Sequence, residues 1–209
     1  MHWEWQLGDD QPYRHRRAED IAACNVLSAA PLHLGLLDAI YRHDDDGQPL
    51  YARDAKPESD ARNFIGGDVH PHDWQLFAPL VKDALRILIK QAQRIYCPLG
   101  IGGHVDHVLV RHAVEALTEI GQVMYYEDFP YADKVDWQDS DVTAGLVPTE
   151  TNLSEVDIAA RIGAIACYSS QQFALFEHAE NMPARVRNYI AAANGERYWT
   201  RTDAVRNSY

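Results

Sequence analysis

The chain has 209 residues, 46% hydrophobic and 24% charged, the balance of a soluble globular protein with room for one well-filled core. Its 31 acidic residues outnumber the 19 Lys and Arg, giving a formal charge of −12. Such a surface repels nucleic-acid phosphates and anionic membranes, so a small neutral or cationic partner is expected, with neither nucleic acid nor membrane bound. No run approaches the roughly 18 apolar residues of a membrane span, and the opening MHWEWQLGDDQPYRHRR lacks the apolar core of a signal peptide. Cys24, Cys97 and Cys167 lie far apart in apolar settings without a CxxC pair. They read as small buried hydrophobes of a cytoplasmic protein, a reactive thiol being the other reading.

Residues 16–28 (RRAEDIAACNVLS) hold Ile21, Ala22, Cys24, Val26 and Leu27 among good helix formers and predict a helix stopped by Pro31. LHLGLL then predicts a short strand. Residues 43–73 carry Asp, Gly and Pro without a clear period, which predicts a long functional or mobile loop. WQLFAPLVKDALRILIKQA follows, with Leu76, Leu80, Ala84, Ile87 and Leu88 at helical spacing.

RIYCPL predicts a strand and VDHVLVRHAVEALTEI a helix, with Val105, Val108, Leu109, Ala113, Ala116, Leu117 and Ile120 on one face. QVMYYEDFPY is a strand entering a loop. Ser154 and Asp157 have capping-box spacing ahead of IAARIGAIACYSSQ. A last helical stretch covers about 170–193, interrupted near Pro183. Alternating strands and helices indicate a single α/β domain, residues 1–209, with a mostly parallel sheet. Because the chain opens on a polar, tryptophan-bearing segment, the sheet is expected to lack its first strands.

GIGGHVDH, residues 100–107, stands between a strand and the start of a helix, where open α/β sheets bind ligands. Gly100, Gly102 and Gly103 permit backbone angles and close approaches that a Cβ would forbid. His104 and His107 are three residues apart, neighbours in a first helical turn, and both project away from the apolar stripe. His112 falls inside that stripe, as a structural histidine would. A solvated helix start is the bland alternative for His104 and His107; a reactive site is favoured. Neutral imidazole is a common zinc ligand, and a zinc-bound water near neutral pKa attacks amide carbonyls. A second histidine, held protonated by a carboxylate, would stabilise the oxyanion or protonate the leaving amine, and Asp106 is the nearest such carboxylate. HxDH also ends the HxHxDH motif of metallo-β-lactamase-like hydrolases, but the earlier histidine is replaced here by Gly102.

The segments RRAED…LSAAPLHLGLLDAIYR, YCPLGIGGHVDH, VMYYEDFPY, GAIACYSSQ and GERYW, in that order, resemble the PIG-L/LmbE-like family of zinc-dependent N-deacetylases. The resemblance runs from about Arg14 to Trp199. It implies a Rossmann-like three-layer α/β fold and removal of the N-acetyl group from an N-acetylglucosamine-type sugar or related small conjugate. By position it makes His107 a zinc ligand, His104 the transition-state-stabilising histidine and Asp106 its orienting partner. Glu127 and Asp128 follow the MYY strand where substrate would lie, an acidic solvated loop being the alternative. Asp38 and Arg42 also resemble positions near the substrate. Of Tyr125 and Tyr126, one is expected in the core, and either is suited to pack a sugar face.

One family element has no counterpart. The AHPDD-like motif after the first strand, which supplies the other two zinc ligands and an aspartate base, matches nothing before Arg14. VHPHDW, with His70, His72 and Asp73, lies in the long loop and reads as a turn before the next helix, or else as a replacement ligand set. An upstream strand ending in HPDD is therefore expected, and this chain by itself is expected to hold zinc weakly. A relative that binds a sugar without cleaving it is the competing reading. A sheet edge left open by absent strands would favour homo-oligomers.

Overall fold

The computed structural model describes residues 11–51, 66–118, 122–133, 137 and 141–201, with residues 11–13 described in backbone only. Packing divides the chain into two compact units. One comprises the residues up to Leu34 together with Thr151–Glu196, and the other comprises Gly35–Glu150 together with the residues from Arg197 onward.

The first unit is helical: α1 (Gln11–Val26), α4 (Glu155–Ala166), α5 (Gln172–Phe176) and α6 (Met182–Ala192). Helix α1 packs on α4, and α4 on α6. The capping box forms as its spacing predicts: the Asp157 amide donates to Ser154 Oγ at 3.3 Å, and the Ser154 amide donates to Asp157 Oδ2 at 2.8 Å. Two segments of the resemblance, RRAED and YSSQ, meet here. Buried Glu19 accepts from the Ser170 amide (2.8 Å), Ser170 Oγ (2.7 Å) and Ser169 Oγ (2.9 Å), while Tyr168 donates to Asp20 at 2.6 Å. Burial works against the charge of Glu19, but the hydrogen bonds from Ser170 and Ser169 outweigh it and its pKa lies below the ordinary value. The break expected at Pro183 falls instead at Glu177, whose φ is +65°. Pro183 sits in the first turn of α6, where its missing N–H is harmless.

The second unit holds α2 (Ala78–Gln91), α3 (Val105–Glu115) and a four-stranded sheet ordered β1-β2-β4-β3. Strands β1 (Ile95–Pro98) and β2 (Val123–Tyr126) run parallel with Ile95 opposite Val123. Strand β4 (Glu196–Arg201) is antiparallel to β2, Tyr125 facing Trp199, and β3 (Leu146–Thr151) lies outside it. The α/β architecture is the expected one. Strands β3 and β4 were not anticipated, since GERYW and LVPTET alternate too weakly to register as half-buried strands. Cys97, Leu99, Ile101, Val105 and Leu109 are fully buried between β1 and α3. Burial pushes the Cys97 thiol up to about 12, so it is the inert hydrophobe expected of it. No helix among the described residues is long and apolar enough to cross a membrane.

Three sequence expectations are corrected. LHLGLL forms no strand: Leu32, Leu34 and Leu37 are exposed, Gly35 takes a positive φ, and the chain turns into a short 3₁₀ helix, Ala39–Tyr41. Helix α2, preceded by a π-helical turn Asp73–Phe77, buries Ala78, Val81 and Ile89, leaving Leu76, Leu80 and Ile87 exposed. Its periodicity identified an apolar face, but its contact with α3 uses a different side of the helix. His112 is exposed rather than packed in the core, edge-on to Trp74 with ring centroids 4.9 Å apart.

Candidate active site

Because β1 and β2 are parallel neighbours, their carboxyl ends open side by side. The loop after β1 leads through the glycines to His104, Asp106 and His107; the loop after β2 begins with Glu127 and Asp128. Asp128, 2% exposed, reaches across the edge. Its Oδ2 accepts the amides of Gly100 (2.7 Å) and Ile101 (2.9 Å), and its Oδ1 lies 2.5 Å from His107 Nδ1. A carboxylate so engaged is an acceptor, so His107 Nδ1 carries a proton toward it, and the neutral form of the ring presents its lone pair at Nε2. Asp128 was expected to face substrate or solvent; it is instead the partner that orients His107.

His104 caps α3, its Nδ1 accepting the Asp106 amide at 3.3 Å. The accepting Nδ1 leaves Nε2–H as a donor. Burial, with a contribution from the nearby His107, holds the His104 pKa below its ordinary value against the pull of Asp106 and Asp38. The ring is therefore neutral at pH 7, not the imidazolium expected from sequence. The two imidazoles lie 5.1 Å apart between centroids, and Tyr131 stands 6.3 Å from His104 and 6.0 Å from His107. Burial raises the Tyr131 pKa, as do Asp128, Asp38 and Asp106, so its phenol stays protonated. The sequence reading passed over this tyrosine, although it ends the EDFPY string.

The glycines are there for contact as much as for conformation. Gly102 has φ +81°, and a Cβ on it would meet the Tyr131 side chain at 3.1 Å; on Gly103, φ +68°, it would meet the Gly66 carbonyl oxygen at 3.0 Å.

The remaining predicted residues surround this core. Asp38 caps the 3₁₀ turn by accepting the Ile40 amide at 3.2 Å. Arg42, expected at the substrate, is 4% exposed because its guanidinium lies between Asp73 and Asp106. Asp106 correspondingly pairs with Arg42, and its backbone amide rather than its carboxylate contacts His104. Glu127 is buried beside Arg197 (3.3 Å) and Trp199 Nε1 (3.0 Å), not solvated. Tyr125 is the core tyrosine, its hydroxyl donating to Glu115 at 3.0 Å, while Tyr126 is half-buried.

His107 fits a divalent metal ligand: a carboxylate on one ring nitrogen and a free lone pair on the other is the usual arrangement for a ligating histidine. Among the described residues no group of three or more His, Cys, Asp or Glu side chains is placed to hold a metal ion. VHPHDW does not supply such a group: Asp73 is taken up by Tyr51 and Arg42, and His70 Nδ1 accepts the His72 amide at 3.1 Å.

An α/β sheet with paired imidazoles at the carboxyl edge of its parallel strands, one backed by a buried carboxylate, is a hydrolase-like arrangement, and the comparisons with known proteins point to deacetylases. No family model matches the chain. It is 32% identical over 151 residues to the 2'-N-acetylparomamine deacetylase of Streptomyces fradiae, a match covering 69% of this chain and 47% of that protein. The chain thus spans about half the length of this curated relative. Its structure is similar to the zinc-inhibited form of a teicoplanin deacetylase, with TM-score 0.77 and 27% identity over 93% of this chain and 77% of that one. It is similar also to a deacetylase–teicoplanin complex from the teicoplanin biosynthesis pathway, with TM-score 0.72 and 26% identity over 93% of this chain and 76% of that one.

Proposed function

We propose that this chain carries part of the catalytic centre of a metal-dependent N-deacetylase, of the PIG-L/LmbE-like kind, that removes an acetyl group from an N-acetylglucosamine-type sugar in a small conjugate. The observation that carries the reading is the His107–Asp128 pair with the His104 ring 5.1 Å away at the edge of the sheet. The deacetylase relatives support the reaction class, and the 2'-N-acetylparomamine enzyme supports an N-acetylated amino sugar as substrate.

In this reading His107 Nε2 is a metal ligand, held in direction and tautomer by Asp128. Zinc bound there would supply Lewis-acid activation of the amide carbonyl and a water of lowered pKa. His104 Nε2–H donates to the carbonyl oxygen as it gains negative charge, a donor most effective where water is excluded. The Tyr131 phenol and Asp38 line the sugar side. Within the described residues His107 is the side chain this reading assigns to the metal, and no cluster of three or more ligating groups completes a centre there. The enzyme works in the cytoplasm on a soluble substrate.

Acetate release from N-acetylglucosaminyl conjugates, matched mole for mole by free amine, tests the reading. Chelation is expected to abolish it and zinc to restore it. Zinc independence, or no acetate from any N-acetylated amino-sugar conjugate, overturns it. A sugar that raises Tm without acetate release, and regardless of chelator, would identify a binding protein instead.

A further inference from the structure

Arg42, Asp73 and Tyr51 are buried polar side chains to which the proposed chemistry assigns no role. Tyr51 OH donates to Asp73 Oδ2 at 2.6 Å, and Arg42 Nη2 lies 3.0 Å from the same oxygen. The guanidinium lies over the Phe77 ring at 4.1 Å and near Tyr51 at 5.5 Å, and Nη1 donates to the Leu37 carbonyl at 3.2 Å. Nη1 also lies 2.6 Å from Asp106 Oδ1. Asp106 Oδ2 accepts the Ala39 amide at 3.2 Å, and the Asp106 amide donates to His104 Nδ1. Asp73 is 1% exposed and Arg42 4%; Asp106, with its side chain 26% exposed, is the member that opens onto the site.

A buried ion pair is a poor means of stabilising a fold, because taking both charges out of water offsets their attraction, and apolar residues of equal volume do as well or better. What it does supply is direction. Arginine presents a rigid planar cation, here stacked on an aromatic ring, hydrogen-bonded to the Leu37 carbonyl and held by charge between two carboxylates. The π turn Asp73–Phe77 brings the two residues that hold Arg42 to the same point, one by charge and one by its ring. At the far end Asp106 is gripped from Arg42 and from the Ala39 amide, and this sets the peptide plane whose N–H meets His104. Ala39, Leu50, Tyr51 and Val105 form one buried cluster, which packs this loop against the start of α3.

We infer that Tyr51, Asp73, Arg42 and Asp106 form a positioning relay that orients His104 through the first turn of α3, and that Arg42 acts in this way rather than by contacting substrate. The catalytic consequence rests on the deacetylase reading; the orientation itself does not.

The test uses Asp73→Asn in the whole protein, with imidazole NMR signals of His104, amide hydrogen exchange of residues 105–108 and deacetylation kinetics as readouts. His104 signals are expected to shift, the first turn of α3 to lose protection about tenfold or more, and kcat to fall about 10- to 100-fold with KM nearly unchanged. Amides of α6 serve as the control and should not change. Unaltered His104 signals overturn the relay, as does a raised KM at wild-type kcat, the mark of a substrate-binding role. Should Asp73→Asn fold poorly, Arg42→Met combined with Asp73→Leu removes one positive and one negative buried charge together, at a smaller cost than removing either alone, and is expected still to show displaced His104 signals. Wild-type signals in that double variant overturn the relay. If the wild-type protein releases no acetate but the NMR and exchange changes occur, the deacetylase reading falls and the relay stands.

Discussion

Asp128 Oδ1 lies 2.5 Å from His107 Nδ1 while Oδ2 of the same carboxylate closes the turn between β1 and α3 by accepting the Gly100 and Ile101 amides. One side chain thus shapes the glycine loop and aims the imidazole that follows it. Replacing Asp128 by Ala leaves two buried amides unpaired, at about 1–3 kcal/mol each, and frees the His107 ring. Denaturant unfolding should show the stability loss. Metal affinity or activity should fall about 10- to 100-fold, the usual cost of losing an outer-shell partner.

The two histidines should fail differently. His104→Gln is expected to lower kcat by about 10²–10⁴ with metal affinity retained, because the ring contributes a donor to the transition state. His107→Gln is expected to lose metal and activity together. Isothermal titration with zinc alongside acetate assays separates the two; equal loss of metal in both variants contradicts these roles.

Gly102→Ala places a methyl against Tyr131 at 3.1 Å on a backbone of φ +81°. A left-handed non-glycine residue costs about 1–2 kcal/mol before any clash, and the displaced Tyr131 ring should reduce activity further. Tyr131→Phe keeps the packing and removes only the phenol. Greater loss of activity in Gly102→Ala than in Tyr131→Phe would show that ring placement outweighs the hydroxyl.

His104 carries a pH signature in metal-free protein. Its folded pKa lies below the ordinary 6.5, so the unfolded chain takes up a proton before the folded one does. Its contribution to stability is complete above pH 6.5, diminishes as pH falls through that value and levels off below the lowered folded pKa. Melting curves from pH 8 to pH 5 should show the Tm difference between wild type and His104→Gln shifting in favour of the variant as pH drops. A constant difference would mean that the ring titrates normally.

Glu19 tests the first unit independently of catalysis. It accepts three hydrogen bonds from Ser169 and Ser170, and Glu19→Ala should destabilise by about 1–3 kcal/mol through the donors left behind. With its pKa lowered, this stabilisation is present above about pH 4.5 and is lost as pH falls through the folded value. Chemical denaturation at pH 7 and pH 4 should show a smaller gap between wild type and variant at the lower pH.

What could be read from the residues alone was local. The i, i+3 spacing of His104 and His107, the capping box at Ser154 and the alternation of RIYCPL with VDHVLVRHAVEAL are all set within one or two helical turns, where backbone geometry leaves few choices. The order of five short segments added the deacetylase resemblance. Periodicity misled wherever the neighbour mattered: LHLGLL has a strand's composition but pairs with no strand among the described residues, and Leu80 and Ile87 have a core helix's spacing but are exposed among them.

The sequence by itself therefore determined the helix start that carries the two imidazoles, because cap, glycines and spacing act between adjacent residues. Only the tertiary structure decided which carboxylate serves which histidine. Asp128 and His107 are 21 residues apart, and Asp73 and Arg42 are 31 apart by number. Each pair forms because parallel strands bring their ends together or because a buried charge has to find its counterion. Asp106, two residues from His104, reads in the sequence as that histidine's carboxylate partner, and its carboxylate pairs instead with an arginine from another loop. In a folded chain, buried charges pair by distance in space, and that distance is set by packing.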